Sequence, residues 1–122
     1  MGIKKSFRIK KSSDFDALFK AKKSFANRAF ILYQKESNLP HYRVGLSVSK
    51  KLGNAVTRNR IKRLIRAALK DFSSCLVAAD FIIIARKGVE DYDFAAVKKN
   101  LSHLLRKSNI IRNEHEEETH KN

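Results

Sequence analysis

In 122 residues the chain has one cysteine, one proline, four glycines and no tryptophan. One cysteine, Cys75, permits no internal disulfide, and its neighbours Leu76 and Val77 favour a buried structural thiol over a nucleophile. A reducing compartment is expected. No apolar run approaches the roughly 18 residues of a membrane span, and the basic start, residues 1–11, lacks the apolar stretch of a signal peptide. The expected location is cytoplasmic, with no membrane partner. Acids are scarce as well: none lies between Glu36 and Asp71.

Catalytic sets are thin. His115 and His120 are five apart around three glutamates, not the four-apart spacing that puts two ligands on one helical face. His41 and His103 have no nearby partner in sequence and read as surface or packing residues. Asp91 and Asp93 are better explained as helix caps than as a two-metal carboxylate cluster. No catalytic residue and no protein-held metal are assigned.

Against these absences stand 27 Lys and Arg, 12 Asp and Glu, and a formal net charge of +15. Four of the acids, Glu114, Glu116, Glu117 and Glu118, sit in the tail, which leaves residues 1–111 with 25 cations against 8 acids, or +17. Such an excess opposes compaction unless a polyanion accepts it. With 43% hydrophobic residues, including eight Phe, the chain still has material for one modest core. The expected organisation is a single domain over 1–111 and a disordered acidic tail over 112–122.

Ser13, with Asp16 three residues on, suits the start of a short helix over 14–20 that puts Phe15 and Phe19 on one face. Residues 29–33 and 42–49 read as strands joined through Pro40 into a hairpin. In the second, Val44, Leu46 and Val48 alternate with Arg43, Gly45, Ser47 and Ser49, so one face seeks a core and the other is small, polar and open. Ile61, Leu64, Ile65, Leu69 and Phe72 recur at three and four, which makes 57–72 an amphipathic helix. The apolar run 80–85 suits a central strand. Asp93 caps a last helix running through Phe94, Val97, Leu101, Leu104 and Leu105 to Arg106 and Lys107.

Nine cations occupy the acid-free stretch: Arg43, Lys50, Lys51, Arg58, Arg60, Lys62, Arg63, Arg66 and Lys70. A solvated helix ordinarily mixes signs to gain i,i+4 pairs, and here Lys62, Arg66 and Lys70 repel one another instead. At 100° per residue, Asn59, Lys62, Arg63, Arg66 and Lys70 share an arc of about 100°, with Arg60 on the opposite flank. Arginine forks suit phosphate, and helix N-terminal N–H groups add to the anion site where residues 53–56 turn in. The charge cluster alone favours nucleic acid and leaves an anionic membrane or a crowded solvated face open.

The run Ser47-Val48-Ser49-Lys50-Lys51-Leu52-Gly53-Asn54-Ala55-Val56-Thr57-Arg58-Asn59-Arg60-Ile61-Lys62-Arg63-Leu64-Ile65-Arg66 closely resembles the signature of the bacterial ribonuclease P protein subunit. The resemblance extends to Asp14-Phe15 with Phe19, to Ala26-Asn27-Arg28 and to Ile82-Ile83-Ile84-Ala85-Arg86-Lys87, so it covers about residues 7–108. It implies an α/β (α+β) two-layer sandwich of order αβββαβα, three helices around a four-stranded mixed sheet. It also implies a left-handed βαβ crossover, against the right-handed default of about 98%.

The same resemblance implies a role beside a catalytic RNA that cuts the 5′ leader from precursor tRNA, with Mg²⁺ held mainly by the RNA. The protein alone would not be catalytic, and no obligatory protein partner is expected. Lys50, Lys51, Asn54, Arg58, Asn59, Arg60, Lys62, Arg63 and Arg66 would face the catalytic RNA. Phe15, Phe19, Ile31, Tyr33, Ser47 and Ser49 would form the cleft that takes the leader. Two departures stand out: Ala67 replaces an acid that family members often carry, and the tail acids have no counterpart in the shared pattern.

Overall fold

A computed structural model describes residues 7–9, 11–20, 23–37 and 39–111. The elements in chain order are α1 (Ser12–Lys20), β1 (Ser24–Ala26), β2 (Phe30–Glu36), β3 (Arg43–Ser47), α2 (Ala55–Asp71), β4 (Ala79–Ala85) and α3 (Phe94–Lys107). This is the αβββαβα order. The tail expected over 112–122 lies outside the described residues.

The four strands form one sheet in the order β1-β2-β4-β3. β2 pairs antiparallel with β1 and β4, and β3 pairs parallel with β4, so the sheet is mixed. The expected hairpin between the second and third strands is therefore absent, because β4 inserts between β2 and β3. The reason is burial: Phe81, Ile82 and Ile83 are fully buried, and a run apolar on both faces takes the central slot. β1 was not recognised as a strand in sequence; three residues show too little alternation.

Successive β4 residues serve opposite faces. Phe81 and Ile83, with Phe30 and Leu32 of β2, face Ile61, Ile65 and Leu69 of α2 and Leu101, Leu104 and Leu105 of α3 in the main core. Ile82 faces Leu18 of α1 and Ile9 in a smaller cluster on the other side. Each fully buried Leu, Ile or Phe contributes about 1.5–3 kcal/mol, so the α2–α3 side carries most of the stability.

Val44 sends its side chain into the main core while its carbonyl accepts from Ile9 N at 2.9 Å on the sheet's outer edge. For L residues that combination puts β4 to the left of β3, viewed from the helix layer. The β3–α2–β4 crossover is consequently left-handed, as the resemblance implied and contrary to the general rule.

Helix ends show local chemistry. Asp93 caps α3, its Oδ1 accepting from Ala96 N at 2.8 Å, as expected. Asn54 caps α2 by accepting from Thr57 N at 2.9 Å, and the helix starts at Ala55, two residues before the expected position. Gly53 precedes it at φ 141°, a conformation that L side chains rarely adopt. α1 starts at Ser12, and the Lys11 carbonyl accepts from Asp14 N and Phe15 N, so Ser13 lies inside the first turn rather than at the cap. Cys75 packs against the core but is half-buried, not fully enclosed.

Candidate nucleic-acid interface

The sheet face carrying α1 is only partly covered. Ladder pairing aligns Ser24, Tyr33, Ile82 and Gly45 in one row, and Ala26, Ile31, Ile84 and Ser47 in the next. α1 lies over the first row. Leu18 meets Ile82, and the Phe15 ring rests on Gly45, where an added Cβ would come within 2.7 Å of Phe15 Cζ. Glycine is required there for close approach.

The second row stays half-open beside the aromatic edge of α1. Phe19 stands edge-on to Tyr33, with centroids 5.0 Å apart and planes at 87°, and 6.5 Å from the Phe15 centroid. Phe19 is 42% exposed. Phe15, Phe19, Ile31, Tyr33 and Ser47 thus come together as one apolar groove with π-faces on offer. Ser49 lies just beyond it, exposed, at the start of the turn Lys50–Leu52.

An ionic clamp fixes α1 on the sheet. Arg43 holds Asp80 through two bonds, Nε to Oδ1 at 3.0 Å and Nη2 to Oδ2 at 2.6 Å, and its Nη1 lies 3.7 Å from Asp14 of α1. Asp80 is 3% exposed, and its hydrogen bond raises the Arg43 pKa above the ordinary value despite partial burial. Nothing in the local sequence pairs residues 14, 43 and 80. The β3–β4 register sets Arg43 opposite Asp80, and the docking of α1 brings Asp14 to the same guanidinium.

On α2 the cations are not equivalent. Arg60 donates to the carbonyls of Tyr92 at 3.0 Å and Glu90 at 3.4 Å, tying α2 to the turn before α3. Arg58 Nε donates to the Gly53 carbonyl at 3.2 Å. Lys87 Nζ bonds the Lys51 carbonyl at 3.1 Å and the Glu90 carboxylate at 2.6 Å, and this bond holds the Glu90 pKa below its ordinary value. Arg58, Arg60 and Asn54 therefore have structural duties that the charge pattern did not reveal. Asn59 and Arg63 are exposed, and Lys62 and Arg66 half-buried, along the expected arc. Lys50 and Lys51 are exposed in the turn that joins the groove strand β3 to α2.

A family model for ribonuclease P matches residues 3–109. The chain belongs to the ribonuclease P protein family. Its sequence is 60% identical over 110 residues to the ribonuclease P protein component of Lactococcus lactis subsp. cremoris, covering 90% of this chain and 94% of that protein. The Staphylococcus aureus RNase P protein structure superposes with a TM-score of 0.83 at 42% identity, over 88% of this chain and 99% of that one. The protein from Thermotoga maritima gives 0.75 at 28% identity, over 82% and 96%. The family is the protein component of ribonuclease P, so the chain is part of a ribonuclease P ribonucleoprotein and belongs to tRNA processing.

For a ribonuclease P protein, the sequence reading missed the Arg43–Asp80–Asp14 clamp, although an acid inside an apolar strand, Asp80, was a visible signal of a buried pair. Among the described residues no group of three or more His, Cys, Asp or Glu could hold a metal ion. Asp14, Asp80, Asp71 and Glu90 are each paired with a cation. No helix among the described residues is long and apolar enough to cross a membrane.

Proposed function

We propose that α2 and the Lys50–Leu52 turn bind the catalytic RNA of ribonuclease P, while the groove between α1 and the sheet takes the single-stranded 5′ leader of precursor tRNA. Catalysis then rests with the RNA and with Mg²⁺ held mainly by it, in the cytoplasm and without an obligatory protein partner. The observation that carries this reading is the separation of two chemistries joined by one turn. A cationic helix suits a folded RNA backbone; an aromatic groove suits unstacked bases of any sequence.

Single-strand stacking is sequence-tolerant because every base has a π-face, at about 1–3 kcal/mol per base, so one groove can serve tRNAs with different leaders. The chain's residues bind and orient; they supply no nucleophile and no general base. The test is leader cleavage by the catalytic RNA at low Mg²⁺, with and without the protein, on precursor tRNA with a leader of several nucleotides. Faster cleavage with the protein is expected. No gain would refute the assignment.

A further inference from the structure

A hollow of about 500 Å³ opens between the C-terminal half of α2, the start of α3 and the segment preceding α1. It is separate from the groove, since α2 packs on the opposite sheet face from α1. We propose that this hollow receives one unstacked nucleotide of the catalytic RNA, its base against Phe94 and its phosphate among Arg63, Arg66 and Lys70. The inference rests on the reading of α2 as the RNA-binding helix and adds a defined pocket to it.

Three observations converge. The first is charge: Arg63, Arg66 and Lys70 of α2 line the hollow, and Asp71, the one acid among its described lining residues, already has Lys98 at 3.0 Å. Burial, with a smaller part from the nearby Arg8 charge, lowers the Arg66 pKa. A phosphate would meet these side chains through bidentate arginine contacts.

The second is Phe94. It begins α3, is 37% exposed and stands outside both core clusters, while Asp93 already caps that helix. An aromatic ring beside arginines is the pairing that holds an unstacked base and its phosphate together. The third is Ala67, which also lines the hollow. Residues 63, 67, 70 and 71 share a helix face, so a longer side chain at 67 would fill the space and an acid there would pair with Arg63 or Lys70. Alanine leaves the hollow open and cationic. A volume of this size lies within the usual range of ligand sites, roughly 300–1,000 Å³. RNA is favoured over a membrane because the site is concave and sets a single aromatic beside Arg63, Arg66 and Lys70. It also continues the cationic arc from Asn59 to Lys70.

The experiment measures full-length protein binding to ribonuclease P RNA across a salt series, for wild type and the variants Phe94→Ala, Lys70→Gln and Ala67→Glu. Phe94→Ala should weaken binding about tenfold with the salt slope unchanged, because stacking releases no counterions. Lys70→Gln should reduce the slope by about one. Ala67→Glu, at an exposed position, should weaken binding and reduce the slope while unfolding as wild type does. For all three variants, the ratio of precursor to mature tRNA affinity in the holoenzyme should stay at the wild-type value.

Wild-type affinity for the RNA in both Phe94→Ala and Ala67→Glu would overturn the pocket assignment. So would a loss confined to anionic lipid vesicles, or saturable binding of adenosine monophosphate that the variants abolish while RNA affinity is untouched. Failure of the wild-type protein itself to bind the RNA would instead refute the underlying reading of α2.

Discussion

The basic face of α2 comes from a single run of consecutive residues, whereas the aromatic groove collects Phe15 and Phe19 from α1, Ile31 and Tyr33 from β2, Ser47 from β3 and Ile84 from β4. One is a local property of a helix and survives small shifts of its neighbours. The other exists only while α1 sits at the right height on the right register. The two regions should accordingly fail in different ways, one by loss of individual contacts and the other by loss of architecture.

The largest expected effect is on the architecture. Arg43→Ala would strand the buried Asp80 carboxylate and release α1 from β3, at a cost of about 3 kcal/mol. Thermal unfolding should fall by more than about 10 °C. Equal loss of catalytic-RNA binding and leader discrimination in the folded variant would erase the distinction between the regions. The Arg43 pKa is raised on folding, so its stabilisation is complete below the unfolded value and lost only as pH rises through the folded one. The clamp's arginine should therefore stay charged throughout the physiological range.

Gly45→Ala sharpens the comparison further. Its Cβ would press within 2.7 Å of the Phe15 ring, forcing α1 outward at about 1–3 kcal/mol. Precursor tRNA binding in the holoenzyme should weaken while mature tRNA binding holds, a difference read by paired affinity titrations. Phe19→Ala removes an exposed ring and should cost about 1–3 kcal/mol in precursor affinity with almost no change in melting temperature. A large fall in stability would mean that Phe19 belongs to the core instead.

Smaller effects are expected on the helix. Lys62→Ala should lower the salt slope of catalytic-RNA binding by about one and leave the leader preference alone. Arg60→Ala tests whether a helix cation is purely local; because it frees the carbonyls of Glu90 and Tyr92, it should also lower stability. Smallest of all is Glu90→Gln. The Glu90 pKa is depressed by Lys87, so its contribution is present above the ordinary carboxylate range and lost as pH falls through the folded value. Wild type and variant should converge in melting temperature at acidic pH.

The helices were legible because their signals are short-range. The three-and-four recurrence from Ile61 to Leu69 and the cap at Asp93 both lie within one or two turns. The hairpin expected across Pro40 failed because a strand's neighbour depends on how much apolar surface every other strand must bury, and β4 buries both faces. The duty of Arg60 was hidden for a related reason: a cation count does not show which guanidinium meets a carbonyl 30 or more residues away.

By itself the sequence determined the basic arc on α2, the helix faces, the apolar central strand and, through residues 47–66, the family. These depend on spacing along one element or on the order of residues. Tertiary structure alone decided that Gly45 lies beneath Phe15, that Arg43 meets Asp80 and Asp14, and that Phe94 joins Arg66 around a hollow. Those pairings require strand order, register and helix docking, which follow from burying the whole apolar surface at once.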